Sequence, residues 1–273
     1  MNNTAAQSHR APSPLLDVQH LTVTFGGSSS ATPAVDDVSF QIMPGETLGL
    51  VGESGSGKSV TAFSILRLLQ APGRVTAGTV MFEGRDLLVL PEREMREMRG
   101  ARISLIFQEP MTALNPVMRV GDQIAEALTV HGMATHAEAR VRAAELLDAV
   151  RIPDAARRAR DYPHQLSGGM RQRVMIAIAL ACQPPLIIAD EPTTALDVTI
   201  QAQVLDLMRE LKGRYNLALL LITHDFGVIA EMADRVAVMF KGKLVEQGRV
   251  REILRHPVHE YTRTLLGAVP GAR

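Results

Sequence analysis

The sequence has little of several features that would mark a specialised class of protein. Its 273 residues include one cysteine, no tryptophan and only 4% aromatic residues. Because Cys182 is alone, it cannot form a disulfide within the chain, and a cysteine-rich metal site is excluded. Acidic and basic residues number 29 each, so the formal net charge is zero. The basic surplus typical of nucleic-acid-binding domains is therefore missing, and we expect no nucleic-acid partner.

Long apolar runs are also missing. Apolar residues make up 46% of the chain, but the longest strictly apolar run, 174–182, is far shorter than a membrane helix of roughly 20 residues. Residues 1–14 contain no apolar signal-peptide core and are predicted to form a disordered lead. We expect a soluble, cytoplasmic chain with a single domain over residues 15–266 and a tail at 267–273.

The hydrophobic pattern predicts an α/β fold. Alternating or continuous apolar runs predict strands at 16–25, 35–42, 47–51, 75–82, 103–107, 186–189, 218–222, 236–240 and 243–246. Apolar residues at helical spacing predict helices at 59–69 and 93–98. From about 116 to 165 the spacing is helical and no strand-like run interrupts it. We therefore predict an inserted helical subdomain, with boundaries at about 109–180.

A glycine-rich loop links a predicted strand to a predicted helix. It reads Gly52-Glu53-Ser54-Gly55-Ser56-Gly57-Lys58-Ser59. Glycines let successive backbone N–H groups turn toward phosphate oxygens at the positive end of the following helix. Lys58 would reach the β- and γ-phosphates of a nucleotide, and the Ser59 hydroxyl would bind Mg²⁺. The alternative, a flexible Gly/Ser loop, is disfavoured because a strand precedes it and a helix follows.

Polar side chains follow three other predicted strands. Asp190 and Glu191 come after 186–189, His224 after 218–222, and Gln108 after 103–107. Ligands bind at the carboxyl ends of strands in open α/β sheets. Asp190 would hold Mg²⁺, Glu191 would polarise an attacking water, and His224 would contact the γ-phosphate. Gln108 could contact Mg²⁺ or the water. A solvated acidic turn and a surface histidine are the alternatives for these positions.

A second small-residue loop, 166–170, precedes a helix-like run from Arg171. Ser167 and the N–H groups of Gly168 and Gly169 could bind phosphate there. The alternative is a structural helix cap.

This ordered set of motifs resembles the nucleotide-binding subunit of ABC transporters over nearly the whole chain. The resemblance implies a P-loop NTPase fold with a mostly parallel central sheet, an antiparallel β subdomain and the helical subdomain. It implies ATP and Mg²⁺ as ligands, and a head-to-tail dimer in which residues 166–170 of one subunit close onto ATP held by the other. Phe25 would stack on adenine, Val60 would join the phosphate loop in binding nucleotide, and Asp197 would couple the two sites.

Several longer stretches narrow the resemblance to the peptide/nickel importer branch. They are FQEPMTALNP at 107–116, LSGGMRQRVMIAIALA at 166–181, IIADEPTTALDVTIQAQVLDL at 187–207, ITHDFGVIAEMADRVAVM at 222–239 and HPVHEYTRTLL at 256–266. The fit implies a bacterial importer that takes up di- or oligopeptides, with nickel or a metal chelate as the alternative cargo. Met170 stands where the family usually has glutamine. With no cysteine after Cys182, we expect no iron–sulfur cluster.

The same resemblance implies partners and a location. The partners would be two transmembrane permease subunits, an identical or sister ATPase, and, indirectly, an extracytoplasmic binding protein. The chain would lie peripherally on the cytoplasmic face of the bacterial inner membrane, with Gln108 and residues 109–120 against the permeases. A soluble ABC ATPase acting on DNA or ribosomes and a phosphate-loop kinase are the alternatives, and a kinase would leave residues 166–170 and His224 unexplained.

Overall fold

A computed structural model describes residues 13–26, 32–194 and 196–267. Its strands form one six-stranded sheet of order β10-β9-β3-β8-β7-β6 and one four-stranded sheet of order β2-β1-β4-β5. The strands are β1 Leu16–Phe25, β2 Val35–Ile42, β3 Thr47–Val51, β4 Gly73–Phe82, β5 Arg85–Asp86, β6 Ile103–Ile106, β7 Leu186–Asp190, β8 Ala218–Thr223, β9 Arg235–Phe240 and β10 Lys243–Arg249.

The six-stranded sheet is parallel except at one edge, where β10 pairs antiparallel with β9. Every residue of β7 and β8 is buried. Ile187 and Ala189 pack into one hydrophobic cluster, whereas Leu186 and Ile188 pack into another. Since successive side chains of a strand point to opposite faces, these apolar runs serve two cores, one on each face of the sheet.

The four-stranded sheet is antiparallel, and β1 pairs with both β2 and β4. The predicted mostly parallel sheet and antiparallel sheet are therefore both found. Between β6 and β7 the described chain forms only helices, as the predicted helical insertion requires, and the predicted fold class is confirmed.

The helices are α1 Lys58–Ile65, α2 Glu92–Met98, α3 Pro110–Ala113, α4 Val120–Val130, α5 His136–Ala149, α6 Ala155–Arg158, α7 Gly168–Leu180, α8 Val198–Tyr215, α9 Phe226–Met232, α10 Val250–Arg255 and α11 Glu260–Gly267, with a 3₁₀ turn at Pro163–Gln165. Within the described ranges, none of them combines the length and apolar character needed to cross a bilayer.

The stretch between β6 and β7 is entirely helical in its regular structure, and α3 to α7 occupy it. A capping box begins α5: the Thr135 hydroxyl accepts from the Glu138 N–H, and the Glu138 carboxylate accepts from the Thr135 N–H. Apolar side chains of α4, α5 and α7 share one core with the sheet. The domain boundaries predicted from the sequence, including 109–180 for this subdomain, stay predictions.

Some predicted element limits are wrong. The predicted helix 59–69 ends at Ile65, because Arg67 adopts a left-handed φ of 52°. The predicted strand 243–246 continues to Arg249, since pairing with β9 extends past the apolar pattern. The helix expected from Arg171 begins at Gly168. The predicted lead 1–14 lies outside the described residues except for its last two, and the tail except for Gly267.

Candidate active site

The carboxyl ends of four adjacent strands bring the predicted residues to one edge of the sheet. In the order β3-β8-β7-β6, these strands lead into the glycine-rich loop, His224, Glu191 and Gln108 respectively. Asp190 is the last residue of β7 and lies in register with Ile222 of β8. Because parallel neighbours end at the same side, residues far apart in the sequence meet there.

The backbone of the glycine-rich loop tolerates no side chain at two positions. A Cβ on Gly52 would lie 2.2 Å from the Met239 carbonyl oxygen, and one on Gly57 would lie 2.5 Å from the Ala34 carbonyl oxygen. Gly57 also has φ +107° where it precedes the first turn of α1. Gly55, by contrast, faces open space. The loop is thus a backbone cradle that packs closely on one side and is open on the other.

Lys58 is held inside this cradle. Its side chain is buried, and Nζ donates to the Gly52 carbonyl at 2.8 Å and to the Glu53 carbonyl at 2.9 Å. Burial lowers the pKa of the Lys58 ammonium, and the nearby carboxylates of Glu191, Asp190 and Glu53 oppose that effect. A negative ligand in the cradle would stabilise the charged form.

Ser59 and Asp190 form a pair of oxygen ligands beside Lys58. The Ser59 hydroxyl donates to Asp190 Oδ1 at 3.1 Å, and the Asp190 carboxylate is only 3% exposed. Burial raises the pKa of Asp190, the Ser59 hydrogen bond lowers it, Glu191 raises it further, and Lys58 lowers it. Hydroxyl and carboxylate oxygens are ligands that suit Mg²⁺. The pair therefore fits the magnesium role predicted for it.

Glu191 is the point at which three side chains converge. Its Oε2 accepts from Gln108 Nε2 at 3.2 Å and from the Thr194 hydroxyl at 2.8 Å, while Oε1 lies 3.3 Å from His224 Nδ1. Glu191 has a left-handed φ of 46°, and its N–H donates to the Ile222 carbonyl at 2.9 Å. The backbone conformation and the surrounding side chains thus both hold the carboxylate.

Sequence reasoning missed Thr194 in this set. Thr194 follows Glu191 by three residues, and its N–H donates to the Glu191 carbonyl at 3.2 Å. This turn brings the hydroxyl back to the carboxylate. A threonine three positions after an acid in a turn was the available signal.

The loop 166–170 is not joined to the glycine-rich loop by any hydrogen bond within the described part of the chain. Ser167 instead caps α7, and its hydroxyl accepts from the Met170 N–H at 3.3 Å. Asp197 caps α8 in the same way, accepting from the Ile200 N–H at 2.9 Å. A Cβ on Gly169 would lie 2.7 Å from Ile200 Cγ2. These predicted residues therefore form a second cluster, and Ala195 between the clusters lies outside the described residues.

The remaining predicted residues lie around the loop or at its margin. Phe25 ends β1 with 42% of its surface exposed, and a Cβ on Gly73 would meet its ring at 2.6 Å. Val60 is partly buried and packs from α1 against a hydrophobic core. Ser54 is exposed, whereas Ser56 is buried and its hydroxyl has no hydrogen-bond partner among the described atoms. The Glu53 N–H donates to the Tyr261 hydroxyl at 3.0 Å, a contact that the sequence does not signal.

Comparison with known proteins identifies the family to which this geometry belongs. The profile described as ABC transporter matches residues 35–194. The chain belongs to the ABC transporter family. It is 56% identical, over 98% of its length and 80% of the relative's, to a probable peptide ABC transporter ATP-binding protein of Sinorhizobium fredii. It is 52% identical to the oligopeptide transport ATP-binding protein OppD of Salmonella typhimurium, over 99% of this chain and 80% of that one.

Solved structures of ABC cassettes share the fold. The dimeric post-hydrolysis state of the ATP-binding cassette MJ0796 bound to ADP and Pi has a TM-score of 0.76 and 29% identity, over 86% of this chain and 99% of that one. The structure of cbiO1 from Clostridium perfringens, part of the ABC transporter complex cbiONQ, has a TM-score of 0.75 and 25% identity, over 94% and 96%. These matches confirm the predicted family and the expectation of an ATP-hydrolysing enzyme.

Proposed function

We propose that this chain is the ATP-hydrolysing subunit of a bacterial ABC importer, and that hydrolysis energises uptake of di- or oligopeptides through separate membrane subunits. The observation that carries the enzymatic part is the convergence of Gln108, Thr194 and His224 on the Glu191 carboxylate beside the glycine-rich loop. The peptide-transport names of the Sinorhizobium and Salmonella relatives support the choice of cargo over nickel.

Phosphate binding is assigned to the loop and to Lys58. In the present arrangement Lys58 Nζ is bound by two carbonyls of its own loop. The β- and γ-phosphates of ATP would replace these carbonyls as partners of the Lys58 ammonium. Loop N–H groups between Ser54 and Val60 would bind the phosphate oxygens, since the Glu53 N–H is bound to the Tyr261 hydroxyl. Phe25 would stack on the adenine with its exposed face.

We assign to Glu191 the role of polarising the attacking water. Gln108, Thr194 and His224 already orient the two oxygens of this carboxylate. It can therefore accept a hydrogen bond, and then a proton, from a water molecule without reorganising. His224 is 61% exposed, so the side of its imidazole away from Glu191 remains open to the γ-phosphate. Ser59, Asp190 and Gln108 would hold Mg²⁺, which neutralises phosphate charge when bound.

The dimer is assigned the role of completing the site. Ser167, Gly168, Gly169 and Asp197 lie in a cluster apart from the glycine-rich loop, so one chain does not assemble all of the predicted phosphate ligands. A head-to-tail partner, either a second copy or a sister ATPase, would bring its own 166–170 loop to the nucleotide of this chain. The N–H groups at the start of α7 favour an anion there.

The surface next to Gln108 is assigned to the membrane subunits. Phe107, Met111 and Val117 are exposed by 41%, 60% and 79%. Large exposed apolar side chains that lie together are typical of interaction surfaces, and these three follow one another within eleven residues. Its connection to Gln108 would link the movement of the permeases to the Glu191 site. The chain would then lie peripherally on the cytoplasmic face of the inner membrane and communicate only indirectly with the extracytoplasmic binding protein.

Reconstitution tests the proposal. We expect the chain to co-purify with two hydrophobic membrane subunits, and the complex in proteoliposomes to hydrolyse ATP faster when its binding protein carries a di- or oligopeptide. Stimulation by a nickel chelate instead would overturn the cargo, and failure of the chain to associate with any membrane subunit would overturn the importer.

A charge reversal tests the docking surface in the same system. Glu109→Lys should lower peptide uptake while the isolated chain keeps its ATP hydrolysis. Glu145→Lys, also at an exposed position of the helical region, is the matched control and should transport normally. Normal peptide uptake by Glu109→Lys would contradict the assignment of this surface to the membrane subunits.

A further inference from the structure

A residue near the carboxyl end of the described chain contacts the phosphate-binding loop. The Tyr261 hydroxyl accepts a hydrogen bond of 3.0 Å from the backbone N–H of Glu53. Tyr261 lies in the first turn of α11, 208 positions along the sequence. Its ring packs on Phe240 of β9, with centroids 4.0 Å apart and planes inclined by 30°. The Tyr261 ring therefore lies against β9, and this packing places its hydroxyl beside the loop.

The segment carrying Tyr261 is anchored independently of the loop. The Glu246 carboxylate of β10 accepts from the N–H groups of Val258 at 2.7 Å and His259 at 3.0 Å. The Arg263 guanidinium donates to the carbonyls of Pro257 and Val258, both at 3.0 Å. Because Glu246 of β10 and Phe240 of β9 both hold this segment, the position of the Tyr261 hydroxyl is set by these two strands and not by the loop it contacts.

The contacted peptide is the one that also holds Lys58. The Glu53 N–H and the Gly52 carbonyl belong to the same planar peptide group. Its N–H donates to Tyr261, and its carbonyl accepts from Lys58 Nζ at 2.8 Å. A hydrogen bond at one end of the plane therefore restricts rotation of the carbonyl at the other end. Met239 packs against Gly52, and the Gly242 N–H donates to the Ser56 carbonyl at 3.0 Å, so the β9–β10 hairpin fixes the loop on both sides of this peptide.

We propose that Tyr261 is a positioning residue for nucleotide binding, whose hydroxyl fixes the Gly52–Glu53 peptide and thereby the cradle in which Lys58 meets the nucleotide phosphates. This inference rests on the proposed role of the loop. It acts on the ground-state geometry of the cradle and leaves the Glu191 site untouched, so it concerns nucleotide binding more than the chemical step. Burial raises the pKa of Tyr261, which keeps the hydroxyl protonated.

Hydroxyl deletion tests the proposal on the full-length chain. Tyr261→Phe keeps the ring on Phe240 and removes only the hydrogen bond. A neutral hydrogen bond of this kind corresponds to a factor of about three to ten in an equilibrium constant. We expect the Kd for ATP and for ADP, and the KM for ATP, to rise by about that factor, with kcat at saturating ATP within about twofold of the unaltered chain.

Two further variants separate positioning from general stability. Tyr215→Phe, at the end of α8, is the matched hydroxyl deletion away from the loop and should leave Kd and KM unchanged. Glu246→Gln weakens the anchor of the turn and should raise the Kd for ATP by a smaller factor than Tyr261→Phe does. Thermal melting of each variant shows whether a change in Kd accompanies a loss of fold.

The outcomes are distinct. An unaltered Kd and KM in Tyr261→Phe, whether or not its melting temperature falls, would overturn the positioning role. A lower kcat at unchanged KM would overturn it as well, because the effect would then lie in the chemical step. Failure of the unaltered chain to bind ATP would instead overturn the proposed function and not this contact in particular.

Discussion

His224 Nδ1 lies 3.3 Å from Glu191 Oε1, while the other oxygen of the same carboxylate is occupied by Gln108 and Thr194. The imidazole and the carboxylate come from the ends of neighbouring strands, β8 and β7. Their contact means that the proposed base and the proposed γ-phosphate ligand are oriented by one another. Most of the expected consequences of substitution at this site follow from that arrangement.

Replacing the carboxylate of Glu191 should separate binding from hydrolysis. Glu191→Gln keeps an oxygen for Gln108 or Thr194 but removes the basic group, and we expect kcat to fall by roughly 10²–10⁴. The variant should still bind ATP and should accumulate as an ATP-bound dimer. Phosphate release and nucleotide binding measure the two effects, and Glu145→Gln on the surface is the control. Full hydrolysis by Glu191→Gln would contradict the assignment.

Removing the Thr194 hydroxyl should lower the rate without changing nucleotide affinity. Thr194→Val keeps the shape of the side chain and loses the 2.8 Å hydrogen bond to Glu191 Oε2. Hydrogen bonds to charged groups contribute about 1.5–3 kcal/mol, part of which water can replace at this half-buried site. We expect kcat to fall by about tenfold at constant KM. Thr199→Val, an equal change at an exposed position of α8, should retain full activity; equal losses in both variants would argue against a role for Thr194.

Substitution of Ser167 should weaken dimer closure in addition to its effect on helix α7. Ser167→Ala removes a helix cap, which costs about 1 kcal/mol of stability. Thr135→Ala removes the cap of α5 and should cost about the same, which makes it the matched control. Only Ser167→Ala should reduce ATP-dependent dimer formation, measured by sedimentation in the Glu191→Gln background. If Ser167→Ala weakened ATP binding by the monomer to the same extent, Ser167 would act on the nucleotide of its own subunit. That result would contradict the proposed role of Ser167 in the partner's site.

Asp190 should destabilise the nucleotide-free chain at neutral pH. Burial raises its pKa above the ordinary 3.8, so between these two values the folded state binds a proton that the unfolded state has released. The free energy of unfolding therefore falls as pH rises through that window, and the cost persists above it.

Asp190→Asn should remove this cost. We expect its melting temperature to exceed that of the unaltered chain at pH 7 in chelator, by about 2–4 °C for each kcal/mol recovered. The difference should shrink toward pH 4, and Mg²⁺-dependent hydrolysis should be lost. A lower melting temperature for Asp190→Asn at pH 7 would show that the charged form is stabilised by the fold.

The agreement between pattern and structure is closest where local chemistry decides the conformation. The glycine-rich loop could be predicted because its glycine spacing stands between an apolar strand-like run and a helix-like run, and both flanking elements are found as β3 and α1. The close contacts that exclude side chains at Gly52 and Gly57 come from Met239 and Ala34 and are visible only in the structure. Asp190, Glu191, His224 and Gln108 could be predicted because each lies at or within two residues of the carboxyl end of an apolar strand. Helix limits were less predictable: α1 ends at Ile65 because Arg67 turns left-handed, and its side chain donates to the Leu87 and Leu90 carbonyls.

The hydrophobic period, the glycine spacing and the strand ends in the sequence by themselves determined the α/β class and the family resemblance. They also singled out the acidic residues and the glycine-rich loop that we propose to bind phosphate. Strand order was decided only in three dimensions, because nothing local states that β8 lies between β3 and β7 and brings His224 onto Glu191. The Tyr261 contact with Glu53 was likewise decided by packing, since a hydroxyl 208 positions away leaves no periodic signal. Local sequence determines the backbone conformation of each element, whereas the meeting of side chains from distant elements depends on how the sheet assembles.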